Sequence, residues 1–427
     1  MSDNIYIKSN YNVFLENFVI FNLISKNYLQ LNESLYSYLK KKNKFAEKDL
    51  EGVLDKLLNA NIITQDNELL TLDYLYNSLK FDRTKASYII YPTLTCNFNC
   101  NYRFETSKKE SLNDSKTIIL KNFLTKQTKL LSELSIRWSG GEPLIVWEKI
   151  KKITESIIKS NPDLKYNFSL ATNGYLITKQ IVKELNSLNF SSLQITVDGT
   201  RDEHNKIRYT KYDKDTYSSV INGIKIASQK LRVIIRFNVN KDNVSSFEDF
   251  LFDLQNHSVN NENIEIFVKP IRPKQDSSFC CDLINDSDFN KNELAFYEIA
   301  KKKGFKYSLH PNFNSNLRCL FHHINSLVID PNLNLYKCAA HVSLNNKKVG
   351  IINNSEAVEI TNLKYFIKSL SYSPIAIKEC RNCSVLPICF GKCPLIWDEA
   401  NQPIDIGCIP DKVSYIDKFQ QLFSNEK

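Results

Sequence analysis

Short apolar runs and helically spaced stretches alternate from about residue 85 to 310. The strand-like runs are Tyr88–Tyr91, Leu134–Trp138, Phe168–Thr172, Leu193–Val197, Val233–Val239 and Ile264–Val268. Between them, Lys116–Leu124 and Lys149–Ile158 carry apolar residues at helical spacing. Six such βα repeats predict an α/β region with a parallel sheet or partial barrel and function at the C-terminal strand ends. The Cys96 loop, Ser139–Pro143, Thr172–Gly174 and Asp198–Gly199 all fall at those ends.

The flanks follow other patterns. In residues 1–84, Val13–Ile24 reads as two short strands around a polar turn, and Glu33–Lys40 and Glu47–Leu58 read as helices. Ile62–Leu70 reads as a small hairpin, so the whole predicts a winged-helix-like domain. Its plain reading is an accessory packing domain with no binding role. Residues 311–427 are cysteine-rich and short of long elements.

Composition narrows the class. The 427 residues suffice for two or three domains. No apolar run reaches membrane-spanning length, and the N-terminus lacks a signal-peptide pattern, so the reading is a cytoplasmic protein without a membrane partner. The formal charge of +9 is spread rather than massed, as solvated helix faces or as attraction to an acidic peptide. No basic–aromatic recognition motif points to nucleic acid. Of the eleven cysteines, seven crowd the C-terminal region at close spacing. With an odd count and no export signal, that pattern reads as metal or cluster ligation rather than disulfides.

Several motifs carry chemistry. Cys96-x3-Cys100 follows a predicted strand, with Tyr102 and Arg103 just beyond. Gly140-Gly141-Glu142-Pro143 follows the next strand. Thr196-Val-Asp198-Gly199 is followed by His204 and Arg208. At the C-terminus, Cys380-x2-Cys383-x5-Cys389-x3-Cys393 leads to Cys408, with Cys319 and Cys338 upstream. Four-cysteine sets at short spacing also suit tetrahedral zinc.

Together these motifs resemble the core of radical S-adenosylmethionine (radical SAM) enzymes and the SPASM extension of peptide-modifying members, over about 340 residues. The resemblance implies a partial TIM-like (β/α)6 barrel over 85–310, an N-terminal winged-helix-like, leader-binding domain over 1–84 and a SPASM domain over 311–427. In that family a three-cysteine loop holds a [4Fe–4S] cluster, S-adenosylmethionine chelates its open iron, and reductive cleavage gives a radical that abstracts a substrate hydrogen. Carried over by residue, Gly140, Gly141 and Glu142 meet the cofactor's methionine amino group. Thr196 meets the ribose, Arg208 the carboxylate, and Tyr102 lies near the adenine. Asn173 and Asn238 line the cavity, and His204 is structural. Cys380, Cys383, Cys389 and Cys408 bind one auxiliary [4Fe–4S] cluster. Cys319, Cys338 and Cys393 bind another, with His322 and His323 weighed as neighbours. Glycine is usual where Leu333 stands. The implied partners are a ribosomally made peptide, engaged through its leader, and an electron donor such as flavodoxin or ferredoxin. Ala339 follows Cys338 where sulfatase-maturing relatives usually carry an aspartate base, which favours a crosslinking peptide maturase over that alternative.

Arg103 departs from the pattern at the third cluster cysteine. A guanidinium stays protonated and cannot replace a thiolate ligand. A degenerate member, a single Cys-to-Arg change in an active lineage, and a distant replacement ligand are the three accounts. The reading from a different class is a non-catalytic peptide-binding scaffold with iron–sulfur or zinc sites.

Overall fold

The computed structural model describes residues 4–100, 109–259, 261–271, 283–308, 319–391, 393–394 and 416–420. It divides into two compact units, Met1–Lys80 with His310–Arg318 and Ser371–Lys427, and Phe81–Leu309 with Cys319–Leu370.

The first unit opens with strands β1 (Ile5–Lys8), β2 (Asn12–Phe14), β3 (Val19–Asn22) and β4 (Tyr28–Gln30). Helix α1 (Glu33–Lys41), β5 (Lys44–Ala46), α2 (Leu54–Asn59), β6 (Ile63–Thr64) and α3 (Glu68–Lys80) follow. Two antiparallel three-stranded sheets result, ordered β5-β1-β6 and β2-β3-β4. Asn32 caps α1 by accepting the Leu35 N–H at 2.8 Å. The stretch expected to be one helix over Glu47–Leu58 is instead a 3-10 turn and the short α2, because Gly52 between them adopts φ +78°. The hairpin expected over Ile62–Leu70 is also corrected. Only β6 is a strand, and α3 starts at Glu68, where Asn67 accepts the Leu69 N–H.

The second unit is built on one long sheet. Its first members are β7 (Lys85–Ile90), α4 (Asp114–Gln127), β8 (Glu133–Trp138), α5 (Trp147–Ser160), β9 (Lys165–Thr172) and α6 (Lys179–Ser187). Next come β10 (Phe190–Val197), α7 (Arg201–Ile207), α8 (Thr216–Ser228), β11 (Val233–Val239), α9 (Phe247–Asn256), β12 (Ile264–Pro270), α10 (Asp286–Lys302) and β13 (Lys306–Tyr307). β14 (Ser326–Ile329), β15 (Asn334–Tyr336), β16 (Gly350–Ile352), β17 (Val358–Glu359) and α11 (Leu363–Ser371) complete it. The strand order is β13-β12-β11-β10-β9-β8-β7-β14-β15-β16-β17, so the sheet is open. Strands β7 to β13 pair in parallel, and β14 pairs in parallel with β7. That pairing places residues 319–370 in the same unit as 81–309.

One face of the sheet is apolar. Ile90, Ile136, Trp138, Leu170, Ile195 and Ile235 are buried with Leu120, Ile153, Leu185 and Ile224 from α4, α5, α6 and α8. Burying each such side chain stabilises the fold by roughly 1.5–3 kcal/mol. The alternate positions are polar or small: Ser135 and Arg137 on β8, Ser169 and Ala171 on β9, Gln194 and Thr196 on β10, Arg236 and Asn238 on β11. This period of two separates a core face from a face free for chemistry.

In the first unit Cys380 sits on the short helix α12 (Lys378–Arg381) and Cys389 ends α13 (Leu386–Cys389), with Cys383 between them. Cys380, Cys383 and Cys389 pack on a core that includes Tyr11, Leu72, Leu386 and Phe419.

Candidate functional site

A cavity of about 390 Å³ opens at the C-terminal ends of β7 to β11. Cys96, Cys100, Gly140, Gly141, Thr196 and Arg208 line it, together with Asn173 and Asn238. These residues are distant in sequence, and the parallel register brings them together.

The Cys96 loop is fixed from two sides. Phe98 bridges to Thr210, and the Asn99 N–H donates to the Tyr209 carbonyl at 2.7 Å. The Phe98 N–H donates to Cys96 Sγ at 3.4 Å, and Asn173 Nδ2 donates to Asn97 Oδ1 at 2.7 Å. On the other side, the Gly141 N–H donates to Thr93 O and the Glu142 N–H to Thr95 O. A Cβ at Gly141 would lie 2.2 Å from Thr95 O, and one at Gly140 2.3 Å from Thr93 O. The glycines are therefore demanded by the backbone leading into the cysteine loop, as well as by the cavity they line.

Glu142 is fully buried and does not line the cavity. Its carboxylate accepts the Leu144 N–H at 3.0 Å, the Thr172 hydroxyl at 2.8 Å and the Asn173 N–H at 2.7 Å. Burial raises its pKa above the usual carboxylate range, while these donors and the Arg208 charge oppose the rise. The carboxylate thus joins the ends of β8 and β9, with its donors drawn from the chain itself.

Arg208 stands one turn beyond His204. Gly199, at φ +104°, and Thr200 start α7, where the Thr200 N–H and hydroxyl both donate to Glu203. The Arg208 guanidinium is 3.7 Å from the buried Asp198 carboxylate and 5.6 Å from the Phe98 ring. It is therefore a buried cation at the cavity wall rather than a surface ion pair. His204 accepts the Asp198 N–H at 3.4 Å through Nδ1, and burial holds its pKa well below the ordinary histidine value. A neutral imidazole under the Asp198 turn fits a structural role.

Sequence reasoning did not single out Arg137, Gln194 or Arg236, which also line the cavity. The signal was present in the alternation of β8, β10 and β11, where each occupies a polar position between buried apolar ones.

Tyr102, Arg103 and Cys408 lie outside the described residues. Cys319 is exposed and Cys338 half-buried in the second unit, while Cys380, Cys383, Cys389 and the exposed Cys393 belong to the first. His322 is buried. Ala339 lines the cavity. Among the described residues no group of three or more His, Cys, Asp or Glu is arranged to hold a metal ion. The cysteines of α12 and α13 nevertheless have an electrostatic effect. Burial, then Cys380, Tyr76 and Cys389, push the Tyr372 hydroxyl far above its ordinary pKa. Burial, Glu68 and Cys383 push Tyr11 up to about 12.

The donor set divides the cofactors into two cases. The glycine-lined cavity with a buried guanidinium fits a small zwitterion carrying a carboxylate. A [4Fe–4S] cluster at the loop meets thiolates at Cys96 and Cys100 but Arg103 at the third position, so the residues present do not fit a three-thiolate site.

Comparison with known proteins agrees with this geometry. Residues 90–254 match the Radical SAM superfamily, whose members use S-adenosylmethionine and [4Fe–4S] clusters. The radical SAM cyclopropyl synthase TigE of Paramaledivibacter caminithermalis is 25% identical over 329 residues, which are 70% of this chain and 65% of TigE. The chain thus spans less than two thirds of that relative. The cysteine-type anaerobic sulfatase-maturating enzyme of Clostridium novyi is 25% identical over 343 residues, 70% of this chain and 84% of the enzyme. Streptococcus suis SuiB, solved with S-adenosylmethionine, shares the fold at a TM-score of 0.55 and 15% identity, covering 93% of this chain and 97% of SuiB. The same protein has been solved bound to precursor peptide SuiA. Among the described residues no helix is long and apolar enough to cross a membrane. The α/β sheet, the cavity at its strand ends and these similarities together identify residues 90–254 as a radical SAM domain.

Proposed function

We propose that this chain is a radical SAM peptide maturase in lineage, built to install a crosslink or similar modification on a ribosomally made peptide. The observation that carries the reading is the single cavity lined by Gly140, Gly141, Thr196 and Arg208 beside Cys96 and Cys100. In this reading Arg208 holds the S-adenosylmethionine carboxylate, Thr196 donates to its ribose, and the Gly140–Gly141 backbone accommodates its amino end. When bound, S-adenosylmethionine supplies a sulfonium carbon–sulfur bond whose cleavage yields a hydrogen-abstracting species. Glu142 acts from below, by holding the two strand-end turns together.

Ala339 supports a crosslinking maturase over a sulfatase-maturing enzyme, because an alanine follows Cys338 where that chemistry needs a base and no carboxylate is among the cavity's described lining residues. The short antiparallel sheets of the first unit are consistent with capture of a leader peptide at a strand edge. Cys380, Cys383, Cys389 and Cys408, and separately Cys319, Cys338 and Cys393, are the proposed thiolates of two auxiliary clusters. An electron donor of the flavodoxin or ferredoxin type and a cytoplasmic setting complete the reading.

Arg103 favours a second reading for the chain as it stands: a peptide-binding scaffold that retains the cofactor cavity without radical chemistry. Anaerobic reconstitution separates the two. The expected result is iron and sulfide for the auxiliary sites alone, saturable S-adenosylmethionine binding and no 5′-deoxyadenosine. Arg103→Cys should then gain one further cluster and form 5′-deoxyadenosine. A variant that gains neither leaves the scaffold standing, and a wild-type chain that takes up zinc but no iron removes the lineage.

A further inference from the structure

Arg137 and Gln194 line the cavity, yet the cofactor reading gives neither of them a task. That reading places the S-adenosylmethionine carboxylate at Arg208, the ribose at Thr196 and the amino end at the Gly140–Gly141 backbone. Two further polar side chains therefore face the same space.

The two are joined. Arg137 Nη2 donates to Gln194 Oε1 at 2.8 Å. The bond spans β9, where Ser169 stands level with Arg137 and Ala171 with Gln194, and both of these side chains are small. Among the described residues it is the one hydrogen bond that either side chain makes. Nη2 belongs to both forked edges of a guanidinium, so the bond occupies one fork and leaves the other open. It also turns the Gln194 oxygen toward Arg137, which frees the Nε2 donors to point elsewhere. No nitrogen of the two side chains is a sealed atom without a partner, so their remaining N–H groups open on the cavity. The pair is thus a ledge rich in donors whose own acceptor is engaged. Burial is the main cause that lowers the Arg137 pKa, and in such partly desolvated surroundings a hydrogen bond from a charged donor counts for more than it does in water. The matching group is an oxygen that only accepts. A carbonyl oxygen has two lone pairs and can take one N–H from the guanidinium and one from the amide. Half of the ledge is a neutral amide, which suits a polar oxygen without a full charge.

We infer that Arg137 and Gln194 form a hydrogen-bonding ledge that holds a main-chain carbonyl of the substrate beside the cofactor. The inference rests on the peptide reading for its ligand. In that role the two residues are specificity-determining: they fix how far an extended peptide enters the cavity, whatever side chains it carries.

The test uses the full chain, prepared anaerobically, saturated with S-adenosylmethionine and isotopically labelled at glutamine nitrogen for magnetic resonance. The Gln194 side-chain signals are assigned by their loss in Gln194→Met. The probes are N,N-dimethylacetamide, which accepts and cannot donate, acetyl-Ala-Ala-Ala-amide and sodium acetate. Both amides should move the Gln194 Nε2 signals saturably, and at lower concentration than acetate. Arg137→Met should raise the half-saturating concentration of the amides by about tenfold or more. Arg137→Lys should lie between that variant and the wild type, and S-adenosylmethionine affinity by equilibrium dialysis should stay unchanged in both. Movement with dimethylacetamide but not with the peptide upholds the ledge and removes the peptide reading. No movement with either amide overturns the inference, as does a preference for acetate or a response undiminished in Arg137→Met. Loss of S-adenosylmethionine affinity in both Arg137 variants would overturn it too, by reassigning the residue to the cofactor. If Arg137→Met does not fold, Arg137→Lys and the wild-type titrations decide.

Discussion

The Glu142 carboxylate accepts the backbone N–H of Asn173 at 2.7 Å, joining the turn after β8 to the turn after β9. Three donors converge on this buried group, so truncation leaves them unsatisfied. Glu142→Ala should destabilise the protein by about 3 kcal/mol or more in urea unfolding. Its pH signature is equally specific. The folded pKa is raised, so the folded state binds the proton more tightly than the unfolded chain. The contribution of Glu142 to stability is therefore fullest below about pH 4.3 and falls as pH rises through the folded value. The wild-type minus Glu142→Gln stability difference should fall over that range, and a flat or rising difference would refute the assignment.

Gly141→Ala should harm the site by another route. Its Cβ would lie 2.2 Å from Thr95 O and 2.6 Å from Leu94 O, and backbone cannot swing aside as a side chain can. We expect about 1–3 kcal/mol of lost stability and weaker S-adenosylmethionine binding by equilibrium dialysis, because the displaced 93–95 segment leads into Cys96. Normal binding with normal stability would show that the 93–95 segment yields freely.

Glu184 gives a pH test away from the cavity. It accepts Trp147 Nε1 at 2.6 Å, Lys151 Nζ at 2.9 Å and Gln180 Nε2 at 2.7 Å. The Trp147 bond, then those from Lys151 and Gln180, lower its pKa to about 2. A depressed carboxylate contributes stability above its unfolded value of about 4.3, lost as pH falls through the folded value. Glu184→Gln should thus destabilise at neutral pH, with the gap from wild type closing as pH falls from about 4.3 toward about 2. Thermal melts across that range measure it.

Lys80 gives the same sign at higher pH. Buried on α3, it donates to the Tyr372 carbonyl at 2.9 Å and lies 5.2 Å from the centre of the Tyr76 ring. Burial lowers its pKa to about 8, so between there and its unfolded value the unfolded chain holds the proton and the folded state does not. Stability should therefore rise with pH from about 8 to about 10.4. In Lys80→Met that rise should vanish, and its persistence in urea midpoints would assign it elsewhere.

Where the chain was legible, one physical period dominated. Strands such as Val233–Val239 announced themselves because Val233, Ile235, Phe237 and Val239 fill the core face while Arg236 and Asn238 fall at the alternate positions. The motif glycines were legible too, although their closest neighbours are the carbonyls of Thr93 and Thr95. The Ile62–Leu70 hairpin misled because two apolar clusters flank a polar turn, while the helical spacing of Leu72, Tyr76 and Lys80 lies beyond that window. The Arg137–Gln194 pair was illegible for a different reason. Only the parallel register of β8 through β10 brings them to one cavity, and register between distant strands is not written in any local pattern.

Gly391 tests the C-terminal thiol region. It adopts φ +81° just after Cys389, and its carbonyl accepts the Tyr372 hydroxyl. A Cβ there would lie 2.4 Å from Tyr372 Oη and 2.6 Å from Pro374 Cβ. Gly391→Ala therefore meets both backbone strain and a packed side chain, a combined cost of about 1–3 kcal/mol. If α12, α13 and Tyr372 hold the cysteines in ligating positions, this variant should lose iron from the C-terminal set during anaerobic reconstitution and keep its S-adenosylmethionine affinity. Equal loss of both would mean that the substitution unfolds the chain globally, and full iron content would mean that the thiols do not depend on this turn.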